Sequence, residues 1–216
     1  MGSVTRKPRA TAAEQRRPAI EAKLLEATER LLSDGTAYTE LSIQQLCSEA
    51  GIARSTFYVY FRDKADLVAR LAEEMVGQLS EAASTWWQPG ASREELLAAT
   101  RRVIEIYRAH GALFAALTET AAYDVEMRRM QVALVERNAR PLGELISAGK
   151  RNGTVRDVHT AETVAALSWM LQGSCYHLAL GAREDELDRI AEAVTGIIWH
   201  SIYPDPEADR PKPGRS

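Results

Sequence analysis

The chain has 216 residues, 45% of them apolar, which is enough for a sizeable core and excludes a mostly disordered protein. Its net charge of −3 divides unevenly, with ten basic against eight acidic residues in 1–64 and seventeen against twenty-two in the rest, so positive charge is biased towards the N-terminal part. No apolar run approaches a membrane span and the N-terminus lacks a signal peptide's hydrophobic stretch, so the expectation is a cytoplasmic protein with no membrane partner.

Residues 1–17 form a basic segment without periodicity, in which Arg6, Lys7, Arg9, Arg16 and Arg17 face only Glu14; it reads as a flexible arm. Pro18 suits the first turn of a helix, and Ile20, Leu24, Ala27 and Leu31 follow at helical spacing to a stop at Asp34-Gly35. Ile43, Leu46, Cys47 and Ala50 then make one apolar face of a short helix, opened by a Ser42/Gln45 capping box and closed by Gly51. A second short helix runs from about Ala53 to Phe61. Ile52, Phe57 and Phe61 are available to pack, while Arg54, Ser55, Thr56, Tyr58 and Tyr60 occupy the remaining surface. Two short helices meeting at one glycine, the second crowded with hydrogen-bonding side chains, make a helix-turn-helix pattern. Asp63 reads as the N-cap of the next helix. It puts Lys64 in the first turn, where backbone N–H groups and a cation together hold a phosphate.

Leu67, Leu71 and Met75 define a fourth helix heading towards Trp86, and Pro89-Gly90 is a turn. Ser92 with Glu95 opens a fifth helix through Leu96, Thr100, Val103 and Tyr107, broken at Gly111. A short helix with Leu113, Phe114 and Leu117 follows. Asp124 caps a long seventh helix towards Lys150, with Pro141 as a kink and Asn152-Gly153 as its end. Thr160 caps an eighth helix reaching Gly181, and Leu187, Ile190, Val194, Ile197 and Ser201 define a ninth. These last two are apolar over more than one face, which calls for cover by a partner chain. The proline-rich, charged tail at 204–216 reads as disordered. The expected fold is all-α with about nine helices: a three-helix helix-turn-helix domain at 18–66 on a larger helical domain at 67–203.

The run from Ser42 to Leu67, with its EAGI turn, its S-T-F-Y-x-Y-F second helix and its D-K-x-D-L continuation, resembles the DNA-binding domain of the TetR family of bacterial regulators. The resemblance implies a repressor that binds a palindromic operator as a dimer, with the second short helix in the major groove. Ser42, Tyr60 and Lys64 would contact phosphates, Gln44, Arg54, Thr56 and Tyr58 would read bases, and Arg6 and Arg9 of the arm would reach the minor groove. The family usually has serine where this chain has Ala53, so the recognition helix lacks a side-chain cap unless Ser55 or a phosphate substitutes.

The family also implies a homodimer formed by a four-helix bundle of the last two helices, and a cavity for a small-molecule effector in the second domain. Trp87, Tyr107, Phe114, Met130, Trp169, Tyr176 and Trp199 are the candidate walls, since aromatic and methionine side chains suit irregular apolar pockets. The C-terminal IIWHSIYP and the placement of Trp169, Tyr176 and Trp199 are similar to the ethionamide-pathway repressor branch, which implies an apolar ligand, oriented by Ser168, Gln172 or Tyr176.

His110, His159, His177 and His200 are scattered without ligand spacing, so neither metal nor cofactor is expected. No nucleophile elbow, P-loop or dinucleotide fingerprint occurs, which argues against an enzyme. Cys47 and Cys175 read as reduced thiols rather than a bridge. Two other classes fit the same helices: an architectural DNA-binding protein without a ligand, and a helical carrier or enzyme with an incidental helix-turn-helix.

Overall fold

The first helix, α1 (Ala12–Ser33), begins six residues before Pro18, because the stretch before the proline is rich in good helix formers and continues upstream. Arg16 and Arg17 therefore belong to a helix rather than an arm; Arg6 and Arg9 lie outside the described residues. The computed structural model describes residues 12–33, 36–84, 86 and 90–204. Among them are nine α-helices, a 3₁₀ turn at Tyr38–Glu40 and no strand.

Helices α2 (Ile43–Glu49) and α3 (Arg54–Tyr60) are short, and their ends follow local chemistry. Ser42 Oγ accepts from the Gln45 N–H at 3.1 Å while Gln45 Oε1 accepts from the Ser42 N–H at 2.9 Å, so the capping box forms as read. Gly51 sits at φ +63°, the left-handed conformation that lets the chain reverse without a Cβ penalty. Asp63 Oδ1 accepts from the Asp66 N–H at 2.8 Å and starts α4 (Lys64–Ser84).

The larger part comprises α5 (Arg93–Ala109), α6 (Gly111–Tyr123), α7 (Val125–Asn152), α8 (Thr160–Ser174) and α9 (Glu184–Ile202). The Ser92/Glu95 capping box and the Asp124 cap form as expected, and α7 runs through Pro141 without ending. Two readings are corrected. Thr160 is the first residue of α8 rather than its cap, since His159 occupies the cap position without a side-chain bond. From Cys175 to Ala179 the continuation of α8 is a π-helical turn, with one more residue per hydrogen-bonded ring than the α-pattern assumes.

One cluster of buried side chains runs unbroken from Leu24, Phe57 and Leu67 through Met75 to Tyr107, Phe114 and Cys175. Packing therefore crosses the expected boundary near residue 66 without a gap. A second cluster gathers Trp86, Leu96, Leu142, Ile146, Leu167 and Ile198 at the far end.

The end of α7 folds tightly onto the loop that follows. A Cβ added at Gly149 would overlap the side chain of Val155 and stand 3.2 Å from Thr154 Oγ1. Alanine gains about 1 kcal/mol over glycine within a helix, but overpacking costs roughly 1–3 kcal/mol. Gly149→Ala is therefore expected to lower the urea midpoint of unfolding; a raised midpoint would mean that Val155 moves aside freely.

Candidate nucleic-acid interface and effector cavity

One side of each short helix is committed to the core. Leu46, Cys47 and Ala50 of the α2 region and Phe57 and Phe61 of the α3 region are buried, and their opposite sides face outward. Ser42, Gln44, Arg54, Ser55 and Tyr58 are exposed, with Thr56 and Tyr60 half-buried beside them. The Arg54 guanidinium donates to the Tyr58 hydroxyl at 3.3 Å and lies 5.6 Å from its ring, so two of the expected base-reading groups form a pair one turn apart. Ala53 caps α3 without a side-chain bond, and Ser55 does not replace it. Val59 is 65% exposed on the same helix. Periodicity overlooks it because it treats valine as core material, although a bare apolar side chain here suits a thymine methyl.

Lys64 departs from its expected role. It stands in the first turn of α4, but its ammonium donates to the carbonyls of Tyr38 at 3.1 Å, Thr39 at 2.9 Å and Leu41. An ammonium has three protons and all are engaged, so Lys64 fastens a turn instead of holding a phosphate. Burial lowers its pKa, with Glu119 opposing the shift.

Glu119 of α6 grips the same turn from the other side. Its carboxylate accepts from the Tyr38 N–H at 2.9 Å, the Thr39 N–H at 3.1 Å and the Thr39 hydroxyl. Burial raises the Glu119 pKa, but the bonds from Thr39 and Tyr38 together with the Lys64 charge outweigh it and hold the carboxyl below its ordinary value. On α1, Glu21 is 6% exposed and accepts from Arg70 Nε of α4 at 3.0 Å, while Arg17 donates to the Tyr60 carbonyl at 3.4 Å.

Between the two apolar clusters lies a cavity of about 100 Å³. Of the candidate ligand-binding residues, Tyr107, Phe114, Ser168 and Gln172 line it. The other candidates do not, and Trp87 lies outside the described residues. Met130 and Trp169 face an open groove of about 1,090 Å³ between α7 and α8, separated from the cavity by Leu134, Val135, Ala139 and Ser168. Trp199 packs on Tyr203 with ring centroids 4.2 Å apart, and Tyr176 packs behind Phe114 at 5.4 Å.

Three wall residues are the immediate neighbours of candidates that lie elsewhere: Trp86, Gln131 and Ile198. A step of one residue turns a helix by about 100°, so choosing the bulkiest side chain over the phase misses the lining. For Trp86 the phase was readable, since Leu79, Ala83 and Trp86 stand at i, i+4 and i+7. The π-helical turn accounts for Tyr176, which an uninterrupted α-helix would place on the face of Gln172.

Residues 24–71 match the family model for bacterial regulatory proteins of the tetR family. Over 189 residues, covering 85% of this chain and 86% of the relative, the chain is 26% identical to the HTH-type transcriptional regulator EthR of Mycolicibacterium smegmatis. The chain carries a TetR-family DNA-binding domain. It is likewise 26% identical to EthR of Mycobacterium tuberculosis, over 85% of this chain and 87% of that one.

Solved structures of transcriptional regulators share the fold. The regulator FadR from Bacillus subtilis in complex with stearoyl-CoA has a TM-score of 0.69 at 16% identity, covering 84% of this chain and 99% of its own. A regulator from Saccharomonospora viridis in complex with choline has a TM-score of 0.64 at 19% identity, covering 87% and 100%. Among the described residues no helix is long and apolar enough to cross a membrane, and no three His, Cys, Asp or Glu side chains gather as a metal site requires. Cys47 and Cys175 are free and buried. Burial pushes the Cys175 thiol up to about 12, which leaves it inert as a nucleophile.

The Glu119 clamp carries a pH signature. A carboxyl whose folded pKa is depressed stabilises the protein above its unfolded value, about 4.3 for glutamate, and loses that contribution as pH falls through the folded value. Glu119→Gln is expected to cost on the order of 1 kcal/mol near neutral pH and to converge with the parent on acidification below about pH 4. Urea unfolding across pH checks this; a difference independent of pH would remove charge from the clamp. Lys64→Ala should lower the melting temperature while leaving the salt slope of DNA binding unchanged, whereas a phosphate-contacting lysine would reduce that slope by about one.

Proposed function

We propose that the chain is a ligand-responsive repressor that binds a palindromic operator as a homodimer and leaves it when an apolar molecule occupies the cavity. The carrying observation is that one helix serves both sites. Phe114 and Leu117 of α6 line the cavity, and Glu119 of the same helix grips the turn that precedes α2. Helix α4 makes a second link, with Met75 and Leu79 at the cavity and Lys64 at the same turn.

The cavity is smaller than the roughly 300–1,000 Å³ of drug-sized ligand pockets. A larger occupant displaces α4 and α6, and either movement carries the helix-turn-helix with it. Ligand and operator then bias one equilibrium, so each weakens the other's binding by the same factor. The EthR relatives, and the fold shared with regulators carrying stearoyl-CoA and choline, support an effector in this domain.

At the DNA, Ser42 and Tyr60 contact phosphates, and Gln44, Arg54, Ser55, Thr56 and Tyr58 face the base edges with Val59 beside them; Arg6 and Arg9 reach the minor groove from the arm. The division into a DNA-binding unit at 18–66 and an effector and dimerisation unit at 67–203 is one of role. Trp169 of α8, Leu178 beyond it and Ile197 of α9 are 43%, 56% and 51% exposed, an apolar surface that supports pairing of these helices with those of a second copy. The protein acts in the cytoplasm and is not an enzyme.

Fluorescence anisotropy on DNA from upstream of its own gene, against a shuffled control over a salt series, tests the reading. A preference of about 10³-fold or more is expected, with a steep salt slope. Arg54→Ala should weaken operator binding by about ten- to a hundred-fold and leave shuffled DNA nearly unaffected. Equal binding of both DNAs, after selection from random sequence also fails to yield a preferred site, would overturn it in favour of an architectural role.

A further inference from the structure

The outward side of α3 carries an apolar side chain that the fold does not use. Val59 is 65% exposed and belongs to neither apolar cluster. It stands two residues from Phe57 and two from Phe61, which are 0% and 2% exposed, and two steps of about 100° place it on the side of the helix opposite both. Ser55, exposed one turn earlier, shares that side. Both side chains are short, so the ridge they form is low and lets the helix backbone approach a surface closely. The longer Arg54 and Tyr58 flank it, with the Arg54 guanidinium held against the Tyr58 hydroxyl at 3.3 Å. Single apolar side chains on a surface are common; what distinguishes Val59 is its place at the centre of the side that α3 turns away from the core. Valine is also a weaker helix former than alanine, lysine or glutamine, so neither packing nor helix propensity accounts for it here.

We propose that Val59 reads a thymine methyl in each operator half-site and so sets the base preferred at that pair. The inference rests on operator binding through α3. It deepens that reading by naming the base and the residue that selects it. Valine neither donates nor accepts a hydrogen bond, so among the groups that base pairs present in the major groove it has affinity for one, the C5-methyl of thymine. Cytosine at the same position lacks the methyl and brings an amino donor, which valine would strip of water without offering a partner. Loss of one buried methyl corresponds to about fourfold in affinity, or about fifteenfold when both half-sites lose it. Arg54 and Tyr58 carry polar groups that meet donors and acceptors, whereas the Val59 contact depends on apolar burial alone. It is therefore insensitive to salt over a range in which phosphate contacts weaken steeply.

Replacing each thymine of the operator in turn by deoxyuracil removes a single methyl and keeps the base pair. Fluorescence anisotropy of the full chain and of its Val59→Ala variant on this set of DNAs tests the assignment. A penalty common to both proteins reports altered DNA shape, and the difference between them reports the contact. The expected result is one thymine per half-site at which uracil weakens the parent by about fourfold and Val59→Ala by less than about twofold, at every salt concentration. Because Val59 is largely bare, Val59→Ala is expected to melt within about 2 °C of the parent. Should it not fold, Val59→Ser takes its place with the same expectation. If no thymine shows a uracil penalty that depends on residue 59, the Val59 assignment is overturned and operator binding stands. Equal affinity of the parent for operator and shuffled DNA would overturn operator binding together with this inference.

Discussion

The turn at Tyr38–Glu40 is the knot on which the rest of the molecule depends. Its carbonyls receive the ammonium of Lys64 from α4, and its N–H groups and the Thr39 hydroxyl are taken by the carboxylate of Glu119 from α6. A three-residue 3₁₀ turn leaves backbone groups unpaired at both ends, and here opposite charges satisfy them from opposite sides. The Tyr38 hydroxyl closes the arrangement by donating to the Lys64 carbonyl at 2.9 Å. As a result α4 and α6 meet at the turn that leads into α2, and the orientation of the helix-turn-helix is tied to the helices of the larger part.

The apolar core reinforces that knot and is also where it can be disturbed. A continuous cluster joins Phe57 on the buried side of α3 to Phe114 at the cavity, so displacement at one end is resisted by close packing along its length. Packing fails between this cluster and the one around Trp86, Ile146 and Ile198, and the cavity occupies that seam. Voids of this kind forfeit dispersion contacts along their lining, and an occupant restores them. The cavity thus originates in the imperfect meeting of two cores.

Electrostatics divides along similar lines. The surface of α3 presents Arg54 and Tyr58 as a mutually oriented pair, whereas charges nearer the domain junction are paired inward, as in Glu21 with Arg70. The groups that hold the fold are engaged with each other, and those that face outward on α3 remain available to a partner. Lys64 shows that position on a helix does not separate the two kinds, because a lysine in the first turn of α4 can reach either a phosphate or the carbonyls of an adjacent turn.

By itself the sequence determined the helical class, the place of the helix-turn-helix and most of its caps. Those features depend on residues a few positions apart: Ser42 with Gln45, Ser92 with Glu95, Asp124 with its own first turn, and Gly51 at its positive φ. Part of the cavity was legible for the same reason, since Tyr107, Phe114, Ser168 and Gln172 share the inward phase of their helices. Tertiary structure alone decided that Trp86 lines the cavity, that Trp169 and Met130 face the groove behind it, and that a π-turn rotates Tyr176 out of line. It also decided that Lys64 and Glu119 meet across one turn, a contact between residues 55 positions apart. Local hydrogen bonds and periodicity act within a few residues and can be read along the chain, whereas the choice between two neighbouring side chains, and the partner of a buried charge, depend on which helices pack against each other.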